Sequence, residues 1–171
     1  MRFWTGLALL GAIGASSPAA AQASFASQFP ARVLAAHNAE RARAGVPPLT
    51  WDNALGSAAA GYASQMALTG RFAHSDRSLR PGTGENLWMG THDAFSVEAM
   101  VGGWASEKRF FVPGTFPAVS RTGNWEDVGH YTQMIWPGST RVGCAIRSSA
   151  SNDYLVCRYS PAGNVMGAAV P

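Results

Sequence analysis

The chain has 171 residues, with 13 basic against 10 acidic side chains and a net charge of +3 at neutral pH. All the basic residues except Lys108 are arginines, and they are scattered. That pattern argues against a nucleic-acid-binding role, which needs a basic stripe. The length supports one domain with a real core and is short for two.

Met1-Arg2 precedes an apolar run from Phe3 to about Ala15, followed by Ala19-Ala20-Ala21 and Ala21-Gln22-Ala23. A basic start, an apolar middle and a small-residue cleavage site are the parts of a signal peptide. The run is too short to span a bilayer, and Gly11, Gly14 and Pro18 break it. Residues 1–21 are therefore read as the signal peptide, with cleavage after Ala21 or Ala23. A secreted or periplasmic mature protein without a transmembrane segment is expected.

Pro30 is expected to open a helix running to about Ala44, with Gly45 closing it and Pro47-Pro48 stopping the chain. Val33, Ala36, His37 and Glu40 share one face, and His37 or Asn38 should bridge to another element. Asp52 is a good N-cap for a second helix ended by Gly70, with Leu55, Ala59, Tyr62 and Met66 as its apolar stripe. Arg71 to Asp76 reads as extended or loop, and Glu85 to Met89 as a short strand. A third helix should run from Ser96, its N-cap, to about Phe110, burying Val97, Met100, Val101 and Trp104. Glu107 borders that face. An irregular connection from Phe110 to Trp125 carries Phe110, Phe111 and Phe116, which can form an apolar rim.

Val128 to Trp136 is rich in β-branched and aromatic residues and reads as a strand, with His130 aimed into a partly apolar interior. By itself that position suits a hydrogen-bonded core histidine better than a ligand. Two further strand-like runs, 142–147 and 154–159, flank the turn composition Ser148 to Asn152. Folding them as a hairpin places Cys144 opposite Cys157, at the separation a disulfide needs. Helices first and strands later imply an α+β fold with a covered, mainly antiparallel sheet.

Short chemical motifs are absent: there is no HExxH, no GxSxG elbow and no phosphate-binding loop. The ionisable residues in apolar contexts are His74, Glu85, Glu107 and His130, each on a different element. A carboxylate beside each imidazole would fix its tautomer and suit it to metal binding.

Gly129-His130-Tyr131-Thr132-Gln133-Met134-Ile135-Trp136 resembles the first signature of the CAP superfamily: the cysteine-rich secretory, antigen 5 and pathogenesis-related 1 proteins. Tyr154 to Asn164 resembles the second. Three more matches follow the family's order: His37-Asn38 with Arg41 and Pro48-Leu49-x-Trp51-Asp52, Gly84-Glu85-Asn86-Leu87, and Trp104-x-x-Glu107. The resemblance implies a domain over residues 30–168, folded as a three-layer α-β-α sandwich around a cleft. It also implies a cleft tetrad of His74, Glu85, Glu107 and His130. In that picture His74 and His130 bind a divalent metal, zinc first, and do so weakly. Glu85 and Glu107 orient them.

The expected function is a secreted module binding a sterol, fatty acid or other small hydrophobic ligand. Metal-assisted hydrolysis or peptidase action, with Glu85 or Glu107 as base, ranks second because the chain offers no nucleophile and no third strong ligand. An envelope signalling or structural role is the third reading. The chain lacks the extra cysteines of most animal and plant members.

Overall fold

The computed structural model describes residues 17–171; positions 1–16, most of the predicted signal peptide, lie outside the described residues. The first helix, α1, spans Pro18–Arg43, longer than expected, with Pro30 inside it. Pro18 takes the tolerated first-turn position, and an alanine-rich stretch with high helix propensity continues from there. At the other end Gly45 has φ 70°, and the N–H groups of Gly45 and Val46 reach Ala42 O and Arg41 O.

After the two-residue strand β1 (Thr50–Trp51), helix α2 covers Asn53–Thr69. The Asp52 carboxylate accepts the N–H groups of Ala54 and Leu55, and Gly70 closes the helix at φ 68°, both as the sequence indicated. Strand β2 is Gly84–Thr91 and helix α3 is Val97–Ala105, continued by a 3-10 turn over Ser106–Arg109. Ser96 caps α3 by accepting the Ala99 N–H at 3.2 Å. Replacing Ser96 with alanine should cost about 1 kcal/mol, read as a lower urea midpoint at unchanged slope.

The predicted strand over 128–136 is not a strand. Trp125–Val128 forms a 3-10 turn and Gly129–Met134 forms a short helix, α4, in which Tyr131, Thr132, Gln133 and Met134 are all buried. Burial on every side satisfied the β-rich composition as well as a covered sheet would have. The hairpin is as predicted: β4 (Arg141–Ser148) pairs antiparallel with β5 (Asn152–Ser160), and Cys144 lies opposite Cys157 and is bonded to it.

The main sheet has the order β1-β4-β5-β2, antiparallel except for β1 beside β4. A second, two-stranded piece joins β3 (Gly114–Thr115) to β6 (Ala169–Val170). Alternation along β5 divides the core in two. Leu155, Cys157 and Tyr159 pack with residues of α1, α3 and α4, while Tyr154 and Val156 pack with Ala59, Ala63 and Met66 of α2. The result is the α-β-α sandwich. At Gly143 a Cβ would overlap the α2 backbone at Asp52 and Gly56, so glycine allows that helix to lie directly on the sheet.

Candidate functional site

The four tetrad residues fall into two histidine–carboxylate pairs. His74, in the loop after α2, meets Glu85 of β2 with Nδ1 2.7 Å from Oε1. His130, in α4, meets Glu107 with Nδ1 2.6 Å from Oε1. In each pair the carboxylate takes the Nδ1 side of the ring, which leaves Nε2 as the atom that faces other partners.

Glu85 is buried and heavily used. It accepts the Ser75 N–H at 3.0 Å and the Ser75 hydroxyl at 2.9 Å, and Nη2 of Arg158, directly across on β5, lies 3.0 Å from Oε2. Burial pushes this carboxyl up, but His74, Arg158 and Ser75 together outweigh it and hold Glu85 below its ordinary value. Ser75 does not point away from His74, as adjacent strand residues would; in this loop both converge on one carboxylate.

Glu107 serves a different purpose. Besides the His130 ring, its Oε2 accepts the backbone N–H groups of His130 and Tyr131 at 2.9 and 3.1 Å. These belong to the first turn of α4, whose own N-cap residue, Val128, makes no side-chain bond. The Trp104 ring stacks on His130 at a centroid distance of 6.1 Å, and Trp104 is itself tied to Leu87 O.

Successive residues of β2 link the two pairs. Glu85 leaves the strand toward Arg158, while Asn86 leaves it the other way and donates to His130 O at 3.0 Å. The tetrad does not bring three ligating atoms within 4.8 Å of one another. Among the described residues the group that does so is His92, Asp93 and Asp153. There the Asp153 carboxylate lies 2.7 Å from His92 Nδ1 and accepts the Asp93 N–H and the Ser148 hydroxyl. The bond to Asp153 holds His92 above its ordinary value. Sequence reasoning missed this cluster because Asp153 sits on a distant strand, and only the pairing of Gly90 with Asp153 brings it near.

The expected phenylalanine rim needs correction at Phe116. Phe116 is 1% exposed and packs against Trp125 and Trp136, so it belongs to the core. Phe111 is partly buried against Tyr131, and Phe110 lies under the Arg109 guanidinium. The connection folds back on the domain through the pairing of Gly114 to Phe116 with the C-terminal residues, which is what buries Phe116.

Comparison with known proteins gives one answer. Residues 34–159 match the family model described as the cysteine-rich secretory protein family, CAP. Pathogenesis-related protein 1C of Nicotiana tabacum is 38% identical over 135 residues, which cover 78% of this chain and 76% of that protein. Secreted protein RBT4 of Candida albicans is 36% identical over 168 residues, covering 90% of this chain but 44% of that longer protein. Among solved structures, NaASP2 crystallised with Zn2+ superimposes with a TM-score of 0.71 at 26% identity, covering 82% of this chain and 83% of that one. The chain belongs to the CAP, or cysteine-rich secretory protein, family.

Proposed function

We propose that this protein is an exported CAP-domain binding protein. It holds a divalent ion, zinc first, weakly on His74 and His130, and it takes a small hydrophobic ligand such as a sterol or fatty acid. The observation that carries the metal reading is the pair of carboxylate-braced imidazoles, with Nδ1 to Oε1 at 2.7 and 2.6 Å. Bracing of that kind fixes ring orientation and raises the basicity of the other nitrogen, which suits zinc. Two protein ligands leave half of a tetrahedral zinc sphere to water, so the affinity is low and falls as pH drops. Export is supported by the leader-like first residues and by a relative named as secreted. No helix among the described residues is long and apolar enough to cross a membrane.

Binding is favoured over hydrolysis by the use made of Glu107. Both of its oxygens are engaged by N–H donors of α4 and the His130 ring, which leaves it poorly placed to take a proton from water. The test is zinc titration at pH 7.5, followed by calorimetry and by thermal unfolding. Wild type should show a saturable shift that His74→Ala and His130→Ala each reduce at least tenfold in affinity and that His92→Ala leaves intact. A shift lost in His92→Ala and kept in the other two would move the ion to the His92, Asp93 and Asp153 cluster and end this reading.

A further inference from the structure

Strand β4 is paired along its length with β5, but on its other edge β1 covers only Arg141 and Val142. After Trp51 the chain turns at Asp52 into α2, so among the described residues that edge has no neighbouring strand from Cys144 to Ser148. A groove of about 560 Å3 lies beside it, with Cys144, Ala145, Ile146 and Arg147 along its floor. That volume is in the range of small-molecule sites.

The walls have a consistent chemistry. One is aromatic: Phe29 and Trp51 meet edge to face at 6.3 Å. The other is a single face of α2, where Gly56, Ser57 and Ala60 follow Asn53 at spacings of three, four and seven residues. Small residues on that face leave the room. Trp51 lies beside Val142, and Arg147 comes five residues later on β4, so the groove is about 16 Å long at about 3.3 Å per residue. At the far end Arg147 is exposed. One of its N–H groups donates to Ile146 O at 2.7 Å, and among the described residues the guanidinium forms no ion pair.

An added peptide strand suits this edge less well. The Val142 carbonyl is taken by the Asp52 N–H and the Ile146 carbonyl by Arg147. The Cys144 carbonyl faces the start of α2, where a Cβ on Gly56 would stand 3.8 Å from it, in ordinary contact. What remains is a narrow apolar trough ending in a cation.

We infer that this groove binds a linear fatty acid, with its acyl chain along the β4 edge and its carboxylate on Arg147. The inference rests on the hydrophobic-ligand reading and gives it a place separate from the tetrad, none of whose members lines the groove. Arginine is suited to a carboxylate because its planar fork can donate two parallel bonds. The apolar chain gains by leaving water for the Trp51 and Ile146 surfaces.

The experiment is fluorescence titration of the exported protein with cis-parinaric acid. Wild type should bind saturably at one site per chain. Ser57→Phe, an exposed position that fills the groove, should weaken binding at least tenfold. Arg147→Glu should weaken binding of the acid at least fivefold and leave the methyl ester unchanged. Unaltered thermal unfolding of both variants would show that folding is not the cause. Saturable wild-type binding that neither substitution alters would overturn the groove assignment while the lipid reading stands. Absence of saturable binding by wild type would end both. Displacement of the probe by an extended peptide, but not by an unlabelled saturated acid, would assign the edge to strand addition and overturn the inference.

Discussion

Replacing Arg41 with methionine is expected to destabilise the protein by about 4 kcal/mol, near the upper range for a single substitution. The Arg41 side chain is fully buried and reaches four backbone carbonyls. Nε donates to Pro47 O at 2.6 Å, Nη1 to Met134 O and Trp136 O at 2.9 Å each, and Nη2 to Ser139 O at 2.9 Å. Methionine fills similar volume but offers no donor, so the Pro47, Met134 and Ser139 carbonyls lose this partner inside the protein, while Trp136 O keeps the Ser139 N–H at 3.1 Å. Two of them lie at the C-terminal end of α4, where a cation also complements the helix dipole. Urea unfolding followed by far-ultraviolet circular dichroism measures the loss. A change below about 1 kcal/mol would mean that water or a shifted loop satisfies those carbonyls instead.

The second large effect is on pH dependence. His37 is completely buried, its Nδ1 2.8 Å from Val33 O and its Nε2 2.8 Å from Tyr159 OH. A carbonyl only accepts, so Nδ1 carries the hydrogen and Nε2 accepts a hydrogen bond from the Tyr159 hydroxyl. Burial lowers the imidazole from 6.5 to about 4, with the backbone bond to Val33 opposing it and the nearby Arg41 charge adding to it. Above pH 6.5 the ring is neutral in both states. As pH falls below that, the unfolded chain takes a proton that the folded chain refuses, so stability declines until the folded pKa is passed. The total is about 3 kcal/mol, of which about 2 fall between pH 6.5 and 5. His92 works with the opposite sign, since its pKa is raised by Asp153, but it titrates at the surface. Unfolding measured across that window should show the decline in wild type and a flatter curve in His37→Gln. Parallel curves for the two would refute the assignment.

Much of the architecture could be read from the chain. Asp52 and Ser96 sit where side-chain caps are needed, Gly45 and Gly70 where φ must be positive, and the apolar stripe of α3 is buried as spaced. These signals are local, and they locate helices α2 and α3 and the hairpin. The region around His130 is different because nothing local makes α4 a helix. Its N-terminal N–H groups are satisfied by Glu107, and carbonyls at its C-terminal end by Arg41, both far away in sequence. A carboxylate at one end and a guanidinium at the other favour a six-residue helix that its own composition does not. The same limit applies to the site. The individual tetrad residues were legible through a family resemblance. The roles of Ser75, Arg158 and Asn86 around them depend on a loop conformation and a strand register that the sequence alone does not carry.

The double engagement of Glu107 changes what a familiar mutagenesis test can report. Glutamine is the usual substitute when a carboxylate is suspected of taking a proton, because it has the same shape. At position 107 it has one oxygen for two groups of donors: the imidazole on one side and the paired N–H groups of His130 and Tyr131 on the other. Facing the backbone pair, the amide nitrogen stands donor against donor; facing the ring, it is accommodated only by the imidazole tautomer that carries its hydrogen on Nε2. The first turn of α4 would then open, or Nε2 would hold a hydrogen in place of the lone pair a metal needs. Loss of function in such a variant would report a broken α4 scaffold or a changed His130 tautomer, and it carries no information about base catalysis until both are shown to be intact.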